Sequence, residues 1–388
     1  MRERWKQSAA VVAAIAVAEA AAMLLRPRTG LVDPAPVNAA SYFSPDEVDR
    51  ARAFRRPQRA LFAGMVAAQG AVLGAFVRRP PRASAAATGA ALSLSLAIAP
   101  LPLAAIARRR AIDVGLVTQS WGGWANDVAK SLAIGAVEGA AAGAGVMALV
   151  RRFGPRWWLP GAGGALATGT ALTYLAPVVL APMFNRFTDL PPGPAREDVL
   201  ELAGRAGLNV GRVLEVDGSR RTTAANAYVT GLGATKRVVL YDTLIRDFTR
   251  EETRLVVAHE LAHVRHRDIH RQLAYLALTA PAAAFAVAKL AGPRPTLPGL
   301  TAAAAAVLAP IGIVGNRLSR AVERRADTYA LQATGDTAAF IDFQRRITLK
   351  NVGEPDPSRL TQLVLGTHPT TLERMGLALA IGRSPGGS

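Results

Sequence analysis

Seven apolar stretches dominate the chain, near residues 8–25, 60–77, 86–107, 131–150, 158–182, 273–291 and 298–315. A helix needs about 20 apolar residues to cross a bilayer, and most of these stretches reach that length. They are rich in alanine and glycine rather than leucine, which lets helices approach closely inside a membrane. Many end in arginine or lysine, as membrane spans commonly do. The pattern predicts seven transmembrane helices rather than the buried helices of a soluble core. The first is read as a retained span, although Arg2, Arg4 and Lys6 followed by alanines also fit a signal peptide. Ser44-Pro45-Asp46-Glu47 carries a capping-box signal and opens a helix. Between the fifth and sixth stretches the periodicity changes. Residues 195–207 read as a helix, Arg212–Val216 and Arg237–Tyr241 as strands, and 222–235 as a loop or sheet edge with turn glycines at 231 and 233. The chain thus divides into a membrane region 1–182 with a polar loop 26–59, a catalytic segment 183–272, a membrane hairpin 273–315 and a second catalytic segment 316–388. The last residues, Ser384 to Ser388, are expected to fray.

Charge refines this picture. The net charge is +18. No basic–aromatic interleaving or nucleic-acid motif accompanies it, so anionic membrane lipid, not nucleic acid, is the expected partner. With seven spans the polar segments alternate sides. Arg26, Arg28, Arg50, Arg52, Arg55, Arg56 and Arg59, then Arg108–Arg110 and Lys130, share a side with the catalytic segments. That side is the more basic, which places the catalytic segments in the cytoplasm of a bacterial-type plasma membrane. The contrast is moderate, because the opposite loops also carry Arg78, Arg79, Arg82, Arg151, Arg152, Arg156, Lys289 and Arg294. Glu19 and Glu138 fall inside spans, where a carboxylate either lines an internal cavity or sits in a pair or near the interface. There is no cysteine, so disulfides and thiolate metal ligands are excluded.

The chemistry is concentrated in His259-Glu260-Leu261-Ala262-His263. On a helix this spacing puts two imidazoles one turn apart on one face with a carboxylate beside them. A catalytic Zn2+ asks for such donors, with one position left open for a water whose proton Glu260 takes as general base. A third protein ligand is required. The extension that supplies a third histidine fails, because His266 and Ile269 occupy its glycine and histidine positions. His266 and His270 read instead as a basic pair near a helix end. Glu323 and Asp327 lie four apart on a later helix. Glu323 fits as third ligand, and Asp327 as acceptor of a hydrogen bond from a ligand imidazole. Taken alone, the pattern reads first as a solvated helix whose acids pair with Arg320, Arg324 and Arg325, because such charge patterns are common on helix surfaces. Ser219 and Ser319 lack a nucleophile elbow, and Gly231 and Gly233 do not form a phosphate loop.

Val216–Arg221, Asn226–Gly233 and Lys236–Leu244, with Ala181–Thr188 and Thr367-His368-Pro369, resemble the CAAX prenyl protease 1 family. These are integral-membrane zinc metalloproteases related to the HtpX-type quality-control proteases. The likeness is dense from about 177 to 375. One departure is Thr223-Ala224-Ala225, where the family often has a histidine. The resemblance implies a mainly α polytopic fold, with about seven transmembrane helices around a chamber and a small α/β zincin-like catalytic unit. It implies zinc on His259, His263 and Glu323, and a substrate-binding edge at Asn226-Ala227-Tyr228. It also implies His368, and secondarily Asn226, as donors to the oxyanion of the reacting carbonyl. Arg320 stays unassigned, between pairing with Glu323 or Asp327 and holding a substrate carboxylate. The expected activity is hydrolysis of CAAX-type peptides or of membrane-associated or misfolded proteins. The rival is a non-catalytic transporter or scaffold with structural zinc, but such a site is normally closed by four protein ligands and has no use for Glu260.

Overall fold

The computed structural model describes residues 2–230 and 236–383. The expected turn glycines at 231 and 233 and the tail 384–388 lie outside them. Six helices build the N-terminal half: α1 (Arg2–Leu25), α2 (Pro45–Arg78), α3 (Ala85–Ile98), α4 (Leu101–Asp113), α5 (Trp121–Phe153) and α6 (Trp158–Leu175). A short α7 (Ala181–Phe184) ends it. The catalytic segment follows as β1 (Phe187–Asp189), α8 (Pro194–Arg205), β2 (Arg212–Val216), β3 (Ala227–Thr230), β4 (Arg237–Tyr241), α9 (Asp242–Asp247) and α10 (Arg250–Arg265). Then come α11 (Asp268–Ala291), α12 (Leu297–Thr334), α13 (Thr337–Lys350), α14 (Arg359–Leu365) and α15 (Thr371–Gly382).

Seven helical stretches among the described residues are long and apolar enough to cross a membrane. Their ends differ from the apolar runs. The second span begins at Pro45 because Ser44 and Glu47 form the capping box there, well before the apolar run. The third is broken at Ala99-Pro100 into α3 and α4, since proline removes an interior donor and crowds the preceding turn. The last span does not stop near 315. It continues as one helix from Leu297, capped by Thr296, to Gly335, whose φ of 72° closes the helix in the left-handed conformation.

These helices do not form a solid bundle. α12 packs on α2, α2 on α3, α3 on α5, α5 on α6, α6 on α11, and α11 back on α12, with α1 seated on α11 and α12. The apolar stretches of the spans from Pro45–Arg78 to Trp158–Phe184 have 0–6% of their residues buried, against 28% and 33% in the last two spans. Helices packed edge to edge, with both remaining faces open, form a wall around a membrane chamber. The wall closes by small residues. α1 turns an alanine stripe (Ala10, Ala14, Ala18, Ala22) onto α11 and α12. Gly89 of α3 meets Gly139 and Gly143 of α5 so closely that a Cβ at Gly89 would lie 2.1 Å from the Gly139 carbonyl oxygen. Gly89→Ala should therefore destabilise the protein by about 1–3 kcal/mol, read as a lowered Tm in detergent. An unchanged Tm would mean that α3 and α5 are not in backbone contact there.

The catalytic unit has a four-stranded sheet in the order β1-β2-β4-β3. β2 and β4 are parallel and the outer pairs antiparallel, so β3 is an edge strand. β1 has no counterpart in the sequence reading: three residues are too few for an alternation to register. The core under the sheet joins Val199 and Leu202 of α8, Val238 and Leu240 of β4, Val257 and Leu261 of α10, Ala330 of α12 and Phe343 of α13. Part of α12 beyond the membrane stretch is therefore core of this unit, which explains why the helix continues.

Candidate metal centre

α10 starts at a capping box between Thr249 and Glu252. It is tied to α8 by Arg250 and Arg254 on the buried Asp198. Its buried face carries Leu255, Val257, Ala258, His259, Leu261 and Ala262 and packs against α12. That packing brings two sequence-distant groups together. His259 Nε2 lies 3.1 Å from Glu323 Oε2, and His263 Nε2 lies 3.6 Å from Glu323 Oε1. The two Nε2 atoms are 3.2 Å apart. Glu260 completes a group with the imidazoles in which ligand atoms lie within 4.8 Å of one another.

Both rings are oriented in the same way. His259 Nδ1 is 2.9 Å from Asp327 Oδ1, and His263 Nδ1 is 3.0 Å from Asp268 Oδ2. Each carboxylate is buried and gripped by arginine. Asp327 accepts from Arg374 at 2.8 and 2.5 Å, and Asp268 accepts from Arg325 and, at 3.4 Å, from Arg271. With the Nδ1 protons committed to these carboxylates, both Nε2 atoms present lone pairs to the same point as Glu323. Three converging lone pairs repel unless a cation sits among them. Burial opposes charge on His259, yet Asp327 and Glu323 outweigh it and push its pKa up to about 10. The pocket is thus built for positive charge. Zinc bonds of about 2.0–2.1 Å in tetrahedral geometry put donor atoms roughly 3.3 Å apart, which the observed 3.1, 3.2 and 3.6 Å separations bracket. The residues present fit the ion.

The remaining predicted site residues fall around this point. Loss of solvent contact raises the Glu260 carboxyl above its ordinary pKa, against the pull of His259 and His263, which suits a group that accepts a proton. His368, exposed on the loop after α14, reaches Glu323 Oε2 with Nε2 at 3.3 Å. Asn226 is exposed just before β3 and shares with Glu260, His259 and His368 a cavity of about 190 Å3. Its own Oδ1 accepts from the Ala227 amide at 2.9 Å. Arg320 pairs with neither Glu323 nor Asp327; it donates to the carbonyls of Gln362 and Gly366 and holds the loop that carries His368. His266 bonds the Ala262 carbonyl through Nδ1 and packs edge-on to Tyr329. Glu19 pairs with Arg317 at 2.7 Å. Glu138 is exposed, and its carboxylate has no hydrogen bond or ion pair among the described residues. Sequence reasoning missed Asp268 and Arg374. Asp268 stands five residues after His263, a spacing the motif does not flag, and Arg374 lies on α15 with no local signal.

Residues 194–380 match the profile of Peptidase family M48, and residues 113–186 match that of the CAAX prenyl protease N-terminal region with five membrane helices. A Protease HtpX homolog of Burkholderia thailandensis is 31% identical over 215 residues, 48% of this chain and 73% of that protein. The chain belongs to peptidase family M48. Two further relatives are similar over smaller shares of their own length. The "Uncharacterized metalloprotease YhfN" of Bacillus subtilis is 27% identical over 281 residues, 68% of this chain and 66% of that protein. The CAAX prenyl protease 1 of Saccharomyces cerevisiae is 41% identical over 96 residues, 24% of this chain and 21% of that protein. The chain thus spans less than two thirds of the length of these two relatives. The crystal structure of S. mikatae Ste24p superposes with a TM-score of 0.75 at 20% identity, covering 97% of this chain and 99% of that one, which establishes a shared fold. With seven apolar helices of spanning length and the N-terminal profile, this M48 member is an integral membrane protein.

Proposed function

We propose that this M48 protein is a zinc-dependent endopeptidase that cleaves CAAX-type or membrane-associated and misfolded polypeptides. One observation carries the reading: His259, His263 and Glu323 converge to within 3.6 Å with Glu260 adjoining. A zinc ion held by His259, His263 and Glu323 would polarise the scissile carbonyl and acidify an attacking water. The chain does the rest. An extended substrate adds to the free edge of β3, which fixes its carbonyl beside the imidazoles. Glu260 takes the proton of the attacking water and returns it to the leaving amine. His368 and Asn226 donate to the oxyanion of the reacting carbonyl. Asp327, clamped by Arg374, keeps His259 in the tautomer that offers Nε2, and Asp268 does the same for His263. The catalytic unit faces the cytoplasm of a bacterial-type plasma membrane, on the strength of the arginine-rich segments that share its side. The names of the relatives support proteolysis, and the substrate classes are those that the CAAX and HtpX relatives suggest.

The test is reversible chelation. Purified protein should lose hydrolysis of a fluorogenic peptide on treatment with a zinc chelator and regain it with stoichiometric zinc. Full activity in metal-free protein would refute the reading. Comparing a farnesylated CAAX peptide with an unmodified membrane polypeptide would then separate the two substrate classes.

A further inference from the structure

Two cavities flank the metal centre, one at each end of β3. The smaller, at the Asn226 end, is walled by Leu244, Val256, Phe340 and Phe343 beside Glu260. The larger, about 750 Å3, lies at the Val229 end, against His263 and the turn between α10 and α11. Its described lining includes no carboxylate and, besides His263, five groups able to carry positive charge: Lys236, Arg265, His266, Arg267 and His270. Arg265 and His266 are committed, to the Ala206 and Ala262 carbonyls respectively. The side chains of Lys236, Arg267 and His270 have no hydrogen bond or ion pair among the described residues. Arg267 carries a second signal. Its φ is 55°, the left-handed conformation that glycine adopts freely at the end of a helix and that an arginine adopts only under strain. Keeping an arginine there costs stability relative to glycine.

We infer that this cavity recognises an acidic side chain on the N-terminal side of the scissile bond; the inference rests on the endopeptidase reading and names its substrate class. The direction follows from the strand. Antiparallel pairing is the more stable way to extend an edge, and β3 runs from the Asn226 end to the Val229 end. An antiparallel substrate therefore enters at Val229, passes the imidazoles and leaves at Asn226. Residues before the bond lie in the basic cavity, and residues after it in the apolar one. At about 3.3 Å per residue, the basic groups face a side chain two or three positions before the bond.

Binding can be measured apart from turnover. Zinc-loaded Glu260→Gln protein in nanodiscs is titrated with labelled decapeptides that carry Asp or Lys two or three residues before a central leucine, and Kd is read by fluorescence anisotropy. The Asp peptide should bind about 25-fold tighter, at roughly fivefold for each of two partly exposed ion pairs, with Lys236 and with Arg267. Lys236→Glu should erase or invert that preference. Arg267→Gly should reduce it about fivefold while Tm stays level or rises, a combination that a merely structural arginine would not give. Equal affinity for the two peptides would overturn the inference. So would a preference untouched by both substitutions, or one seen only when the acid follows the leucine. Hydrolysis of the same peptides by the unmodified holoenzyme reports separately on the endopeptidase reading.

Discussion

Glu260→Gln should lower kcat by about 10²–10⁴-fold, the range for removing a positioned general base, while zinc content stays at the level of the unmodified protein. The two halves of this outcome come from geometry. Glu260 lies with the imidazoles, within 4.8 Å, but the converging lone pairs belong to His259, His263 and Glu323. An amide in place of its carboxylate removes the proton acceptor and leaves those donors in place. Glutamine is close in size, so the α10–α12 packing is undisturbed. Metal analysis and peptide hydrolysis on the same preparation decide the matter. Retained cleavage would remove Glu260 from the mechanism, and lost metal would make it a ligand.

Glu323→Ala should act on the metal itself. Groups that merely orient a ligand typically change metal affinity by 10–100-fold, and a direct donor should cost more than about 100-fold. Activity should fall in parallel and recover only partly in excess zinc. The substitution also removes the Glu323 contacts to both imidazoles, so of the links between α10 and α12 at the site only the Asp327–His259 hydrogen bond remains. Competition with a chromophoric chelator gives the affinity directly. Survival of both occupancy and activity would transfer the third position to another donor. His266, bonded to the Ala262 carbonyl and packed on Tyr329, is poorly placed for it, whereas His368, 3.3 Å from Glu323, is the nearest substitute.

The sequence disclosed the imidazole pair because both residues lie on one helix, where spacing alone sets geometry. It disclosed the seven spans because apolar composition over about 20 residues is a bulk property that needs no partner. The Glu323–Asp327 pair was legible only as one of two readings, because its alternative partners, Arg320, Arg324 and Arg325, stand beside it. The structure sends those arginines elsewhere: Arg320 to the loop carbonyls, Arg325 to Asp268, and Arg324 toward Glu373. Asp268 was invisible for a different reason. A left-handed turn at Arg267 breaks the helical phase between His263 and Asp268, so no periodicity relates them. Arg374 reaches Asp327 from a helix 47 residues away, a contact that only tertiary packing creates. Helix limits are not legible where polar residues extend an apolar run. The first turns of α2 and the last of α12 bury their faces against protein rather than lipid, and hydropathy does not register that.

The uninterrupted α12 ties the proposed chemistry to the physical state of the lipid. Pro310 is the one proline in the body of this helix beyond its first turn, and the stretch from there to Glu323 acts as a lever about 20 Å long. Swinging it by roughly 10° would carry the carboxylate about 3 Å, several times the ~0.5 Å tolerance of a working site. Spans tilt to match hydrocarbon thickness, so thin and thick bilayers would tune how well the ion is gripped, making acyl-chain length a modulator of turnover.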